Sequence, residues 1–176
     1  MTKTIKSLLI IALVVLAGFF ICGTEIEQSY SEKECTRENV YQAIRDCEIT
    51  NPHVVFAQMS IESADFGSKL AKKNNNLAGM RLPNKRETTA VGQKHGYAFY
   101  LNWFSSVTDY LLYQKFLLQE KKLNDKQYII RLSKRYAEDP HYKTKIVRKL
   151  KDPELIAFYH DQDSIYTTRH QEIVSK

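Results

Sequence analysis

A run of 18 uncharged residues, Ser7 to Thr24, follows a short N-terminal stretch whose only charged side chains are Lys3 and Lys6. As a helix the run would reach about 27 Å at about 1.5 Å per residue, close to the roughly 30 Å of a bilayer's hydrocarbon core. A helix in a soluble core seldom lacks polar positions for so long. These residues therefore stand apart from the globular fold and read as a secretory signal or a signal-anchor. Basic residues on the N-terminal flank keep that end in the cytoplasm and send the rest of the chain across. What remains is about 150 residues, enough for one domain with a sizeable core.

Composition has to be reread with that segment removed. The hydrophobic 43% is partly an export run, and the net charge of +6 falls to +4 once Lys3 and Lys6 are set aside. The weaker charge argues against a nucleic-acid partner and suits an anionic polymer outside the cytoplasm. With 6 Gly, 4 Pro and 26% charged residues, collagen-like and disordered chains are excluded. Three cysteines are too few for a disulfide-built scaffold. Cys22-Gly23 resembles a lipoprotein signal but Ile21 departs from it, and no A-x-A site is evident. A retained anchor is the preferred reading, with cleaved and lipidated forms open. Export would also allow Cys35 and Cys47 to pair, and a disulfide and two free thiols stand as equal alternatives.

Beyond the export run, residues 25–35 are polar and read as a linker, 36–160 as the domain and 161–176 as a polar tail. Thr36, Glu38 and Asn39 open a helix bearing Val40, Ala43 and Ile44 at helical spacing. Thr50-Asn51-Pro52 is a stronger start signal, and a largely buried helix follows it to about Ala64. Arg81 to Tyr100, with Thr88, Thr89, Val91, Tyr97 and Phe99 around Pro83 and Gly92, predicts a small hairpin or meander. Helices resume at Asn102, at Asp125 as a cap, between His141 and Leu150, and from Pro153 to Tyr159. The fold class is α+β with helices dominant.

Glu62 is the first candidate for chemistry. It lies at a helix end among Met59, Ile61, Ala64 and Phe66, a setting that disfavours the charged carboxylate. A carboxylic acid kept protonated near neutrality can donate to a leaving-group oxygen, as glycoside cleavage requires. Four segments strengthen this reading: Glu62-Ser63 with Phe66 and Ser68; Asn75-Asn76-Leu77-x-Gly79-Met80-Arg81; Tyr97-x-Phe99-Tyr100-x-x-Trp103-x-x-Ser106-Val107-x-Asp109-Tyr110; and Tyr136-Ala137-Glu138-Asp139-Pro140-His141-Tyr142-x-x-Lys145-Ile146. In order and approximate spacing, from about Val54 to Leu150, they resemble the glucosaminidase family of peptidoglycan hydrolases (glycoside hydrolase family 73, mannosyl-glycoprotein endo-β-N-acetylglucosaminidase-like). Ala64 and Ala78 depart from it, standing where many members have Gly and Phe.

The resemblance implies a lysozyme-like helical lobe, a small β-hairpin lobe and a glycan cleft between them. It implies hydrolysis of the β-1,4 bond after N-acetylglucosamine in peptidoglycan, with Glu62 as general acid and Tyr142 beside the sugar. Asn75 and Asn76 would support the cleft and bear on substrate, and Tyr136 and Tyr97 are expected at the sugar. A second carboxylate is less defined: Glu87 is the lone acid between Arg81 and Tyr100, and Asp65 and Asp109 are the alternatives. A lytic transglycosylase on the same fold, or a non-catalytic wall-binding protein, are the rival functions. The five histidines show no metal-ligand spacing, so neither metal nor cofactor is expected. The expected protein is a monomer of the bacterial envelope, meeting the membrane through its N-terminal segment. The basic stripe Lys143, Lys145, Arg148, Lys149 and Lys151 would face an anionic wall or lipid headgroups.

Overall fold

The computed structural model describes residues 26–119, 121–136 and 139–174. The export run at 1–24, with Cys22, lies outside the described residues, as do Ala137 and Glu138 of the last family-like segment. Among the described residues no helix is long and apolar enough to cross a membrane. The chain divides into two units, Met1–Lys33 and Glu34–Lys176. In the first, residues 26–31 are helical where a linker was expected; no Gly or Pro interrupts them.

Among the described residues the second unit runs α1 (Arg37–Asp46), α2 (Pro52–Ser63), α3 (Lys69–Asn74), β1 (Gly92–Lys94), β2 (Tyr97–Phe99), α4 (Trp103–Leu118), α5 (Asp125–Arg135), α6 (Tyr142–Leu150) and α7 (Pro153–Val174). It is mainly helical with one two-stranded antiparallel sheet, as the patterning predicts.

Helix α2 is the core. Every residue from Val54 to Ser60 is buried, and a helix apolar on all sides needs neighbours all round. It has α1 on one side and α6 on another, while α5 and α7 pack on α6 in turn. Its start differs from the expectation. Asn51 is left-handed (φ 56°) and makes no side-chain cap. Its amide instead donates to Leu123 O at 3.1 Å and Asp125 Oδ1 at 2.7 Å, tying α2 to the start of α5. Helix α5 is capped by Asn124, one residue before the predicted Asp125, because Gln127 completes a reciprocal capping box with it.

The β region is smaller than predicted. The strands pair over Gly92–Phe99, Gln93–Ala98 and Lys94–Tyr97, joined by His95 and Gly96, both at positive φ as a tight two-residue hairpin turn requires. Residues 81–90 form no strand. Pro83 interrupts the segment, and the threonines hydrogen-bond elsewhere: Ala90 N donates to Thr88 Oγ1, and Thr89 Oγ1 donates to Ser105 O.

Helix α7 runs to Val174 rather than stopping near Tyr159. No Gly or Pro follows Pro153, and Asp163 supplies a tertiary reason. It accepts from Tyr41 Oη and Arg45 Nη1 at 2.6 Å each and faces His53 Nε2 at 2.9 Å. Cys35 and Cys47 are free thiols, and burial pushes them up to about 11 and about 12, leaving little reactive thiolate at neutral pH.

Candidate active site

Helix α2 ends at a cleft, and Glu62 sits in its last turn. The turn after it is unusual: Ala64, Asp65 and Phe66 are all left-handed, at φ 50°, 50° and 67°, a conformation costing roughly 1–2 kcal/mol per non-glycine residue. Ser63 holds it. Its buried hydroxyl donates to Met59 O at 2.6 Å and accepts from Phe66 N at 2.8 Å, while Asp65 N donates to Ser60 O and Ser68 N to Ser63 O. The serine of the Glu-Ser pair is thus the clamp that lets the chain turn away directly after the acid.

The Glu62 carboxyl leans on Gly79. A Cβ at that glycine would stand 3.1 Å from Glu62 Oε2, and its φ of +66° is itself strained for any side chain. Burial raises the Glu62 pKa above the ordinary carboxylate value, with partial opposition from the Tyr142 hydroxyl and the Lys145 ammonium. The negative end of the α2 dipole works in the same direction as burial. Tyr142 is 4% exposed and stacks on Tyr136, ring centroids 5.8 Å apart. Its hydroxyl lies against the Glu62 carboxyl and the Gln58 amide without closing a well-formed hydrogen bond to either. The Tyr136 hydroxyl donates to Ala78 O, next to Gly79.

The cleft encloses about 590 Å³. Glu62, Gly79 and Met80 form one wall, Arg81, residues 83–86 and Tyr97 the rim, and Tyr113, Phe116, Arg135 and Tyr136 the helical side. Glu62, Tyr97 and Tyr136 therefore share one cavity, with Tyr142 packed behind Tyr136. Glu62 is the single carboxylate in that lining among the described residues.

Other predicted site residues fall elsewhere. Asn75 Nδ2 donates to Tyr100 O and Leu101 O at 3.0 Å each. Asn76 is fully buried; its amide donates to Met80 O and Ala98 O and its carbonyl accepts from Met80 N. Both fasten the hairpin to the helical side. Asn74, not singled out from sequence, does the same through Lys94 O and Ala98 O; its place beside the other two was the available signal. Glu87 is exposed next to the cleft-lining Arg86 and is not in the lining itself. Asp65 pairs with Lys149 at 3.1 Å.

Asp109 is fully buried under the rim. Arg86 grips it through Nη1 and Nη2 at 2.8 Å each, and Tyr100 Oη adds a bond at 2.8 Å. Burial pushes its carboxyl up, but the Arg86 guanidinium and the hydroxyls of Thr88 and Tyr100 outweigh that and hold it below the ordinary range. Asp109 is thus ionised and enclosed, a support rather than a reacting group. Nothing in the sequence marks Arg86 as its partner, 23 residues away, nor does spacing place Tyr113 and Arg135 at the cleft. Among the described residues no three His, Cys, Asp or Glu side chains gather to hold a metal.

Residues 37–155 match the glucosaminidase family, described as mannosyl-glycoprotein endo-β-N-acetylglucosaminidase. Among solved structures, the chain is similar to the crystal structure of the catalytic domain of the autolysin Auto from Listeria monocytogenes. The likeness has 21% identity and a TM-score of 0.46, over 76% of this chain and 93% of that one. No curated protein matches the chain in sequence.

Proposed function

The chain belongs to the glucosaminidase family, and from that premise we propose that it is a peptidoglycan hydrolase cleaving the β-1,4 bond after N-acetylglucosamine in bacterial wall strands. Glu62 is the general acid. The observation that carries this reading is its setting: a carboxyl at the end of a buried helix, seated on Gly79 in a cleft wall, with its charged form disfavoured. Raising its pKa extends upward the pH range over which the acid keeps its proton, which it gives to the glycosidic oxygen as the bond breaks. Tyr97, Tyr136 and the exposed Phe116 offer ring faces along the cleft, and sugar rings stack on such faces. Tyr142 donates to the carboxylate once the proton has left, steadying the charge that forms. The enzyme acts as a monomer in the cell envelope, exported and held at the membrane by its N-terminal segment. Glu62→Gln should abolish release of reducing ends from purified peptidoglycan while the protein stays folded. Release at the wild-type rate would sink the assignment.

A second reading, a lytic transglycosylase, is favoured by one observation: the cleft lining holds a single carboxylate among the described residues. Hydrolysis with inversion needs a base roughly 6.5–9.5 Å from the acid, and retention through a carboxylate nucleophile needs about 5–5.5 Å. Glu87 would have to be carried in with its segment to serve as either. Glu87→Gln losing on the order of a hundredfold in kcat supports a two-carboxylate hydrolase. Unchanged kcat with 1,6-anhydro-muramic ends in the product mass spectrum supports the transglycosylase.

A further inference from the structure

The cleft's electrostatics are lopsided in a way that neutral sugars do not require. The whole chain has 26 basic and 20 acidic residues, yet among the described residues the cleft lining has four basic side chains and Glu62 as its one acid. Of the four, Arg86 is bound to Asp109. Arg81, Lys85 and Arg135 are exposed, and among the described residues no carboxylate is paired with them. Tyr97 stands on the rim, and beyond it the surface dips into a second hollow of about 320 Å³ that Tyr97 also lines, with Lys69 and Lys73. Among the described residues no acidic side chain lines that hollow. One exposed tyrosine thus joins two hollows, each carrying cations with no carboxylate partner among the described residues.

Resting on the peptidoglycan reading above, we propose that Arg81, Lys85 and Arg135 recognise the carboxylates of the peptide stems, so that the substrate is the peptide-bearing strand and not the bare glycan. The sugar backbone offers Tyr97 and Tyr136 neutral rings. A stem peptide brings free carboxylates within a side chain's length of every second sugar, and a guanidinium fork suits a carboxylate better than any neutral hydroxyl does. Lys69 and Lys73 extend the same field past Tyr97 for the stem of the neighbouring repeat. The pairs are exposed, so each contributes a small factor that salt weakens, and together they act as a filter on substrate type.

The test compares glycan strands bearing stem peptides with the same strands stripped by an amidase. Binding is measured by calorimetry on the Glu62→Gln protein, and turnover on the wild type. Peptide-bearing strands should bind about tenfold more tightly at low salt, with the preference shrinking at high salt. Adding Arg81→Gln, Lys85→Gln and Arg135→Gln together should erase that preference, costing peptide-bearing strands about tenfold more in binding than stripped ones. In turnover, the same triple change should raise KM on peptide-bearing strands by a larger factor than on stripped ones. Equal binding of the two strands, or a triple variant that weakens both alike, overturns the proposal. A binding preference that survives although neither strand is cleaved supports it while refuting the hydrolase reading, so the two failures are distinct.

Discussion

Glu62 meets two opposing demands. Its folded pKa lies above the unfolded value, so its contribution to stability is fully present below about pH 4.5 and is lost as pH rises through the folded pKa. At neutral pH the group works against the fold. Glu62→Gln should therefore melt higher than wild type at pH 7.5, on the order of a few degrees, with the gap closing near pH 4; a lower Tm at pH 7.5 refutes the burial argument. Tyr142→Phe probes the neighbour. Its hydroxyl opposes the rise of the Glu62 pKa, so removing it lets that pKa climb further and should move the alkaline limb of the kcat/KM profile to higher pH. Stability should change by less than about 1 kcal/mol, because the hydroxyl closes no well-formed hydrogen bond. An alkaline limb that stays in place would separate Tyr142 from the acid.

At the level of elements, the two sides of the cleft are joined by polar groups. Asn74 and Asn76 bind the hairpin backbone and Asn75 the chain just past it, Ser106 Oγ accepts from Leu77 N at 3.1 Å, and the Arg86–Asp109 pair locks the rim onto α4. With side chains 7% and 0% exposed, Asp109 is fully enclosed and Arg86 nearly so, and removing one partner strands the other. Asp109→Leu should destabilise by about 3–5 kcal/mol in denaturant unfolding, whereas a loss below about 1 kcal/mol would mean that the rim holds without it. The pattern explains what was legible. Helix α2, and the place of Glu62 at its end, could be read because a continuous apolar run is a local signal, and so is the Thr36 start of α1. The hairpin was overextended because Thr88 and Thr89 have strand character but take side-chain bonds instead. The Arg86–Asp109 contact, the roles of the three asparagines and the cleft-lining of Arg135 depend on long-range placement, which no periodicity encodes.

Across the second unit, the reach of α7 decides how the domain is closed. Asp163 gathers Tyr41, Arg45 and His53 from α1 and α2, and Gln42 bonds Gln162 at 3.0 Å. A chain ending at His160 should lose about 2–4 kcal/mol. Part of the loss should be pH-dependent: the Asp163 carboxyl is pushed up by burial and more strongly down by Tyr41, His53 and Arg45. Its contribution is therefore present above about pH 4 and fades on acidification. Full-length and shortened proteins should consequently converge in Tm as the pH is lowered, and an unchanged Tm at pH 7 would make residues 161–176 dispensable.

The same division gives the cleft one unyielding jaw and one compliant jaw. Glu62 is rooted in the buried helix α2, while the facing segment 81–90 forms no strand and is held by side-chain bonds: Asn76 on Met80, the Arg86–Asp109 pair, and Thr89 on Ser105 and Asp109. Amide hydrogens from Val55 to Met59 should exchange only through global unfolding, and those of residues 81–91 through local opening, orders of magnitude faster. Equal protection on both sides would refute this. On the proposed function, a jaw that gives way without disturbing Glu62 would let a strand enter sideways, in the middle of a cross-linked mesh, with no free end to thread.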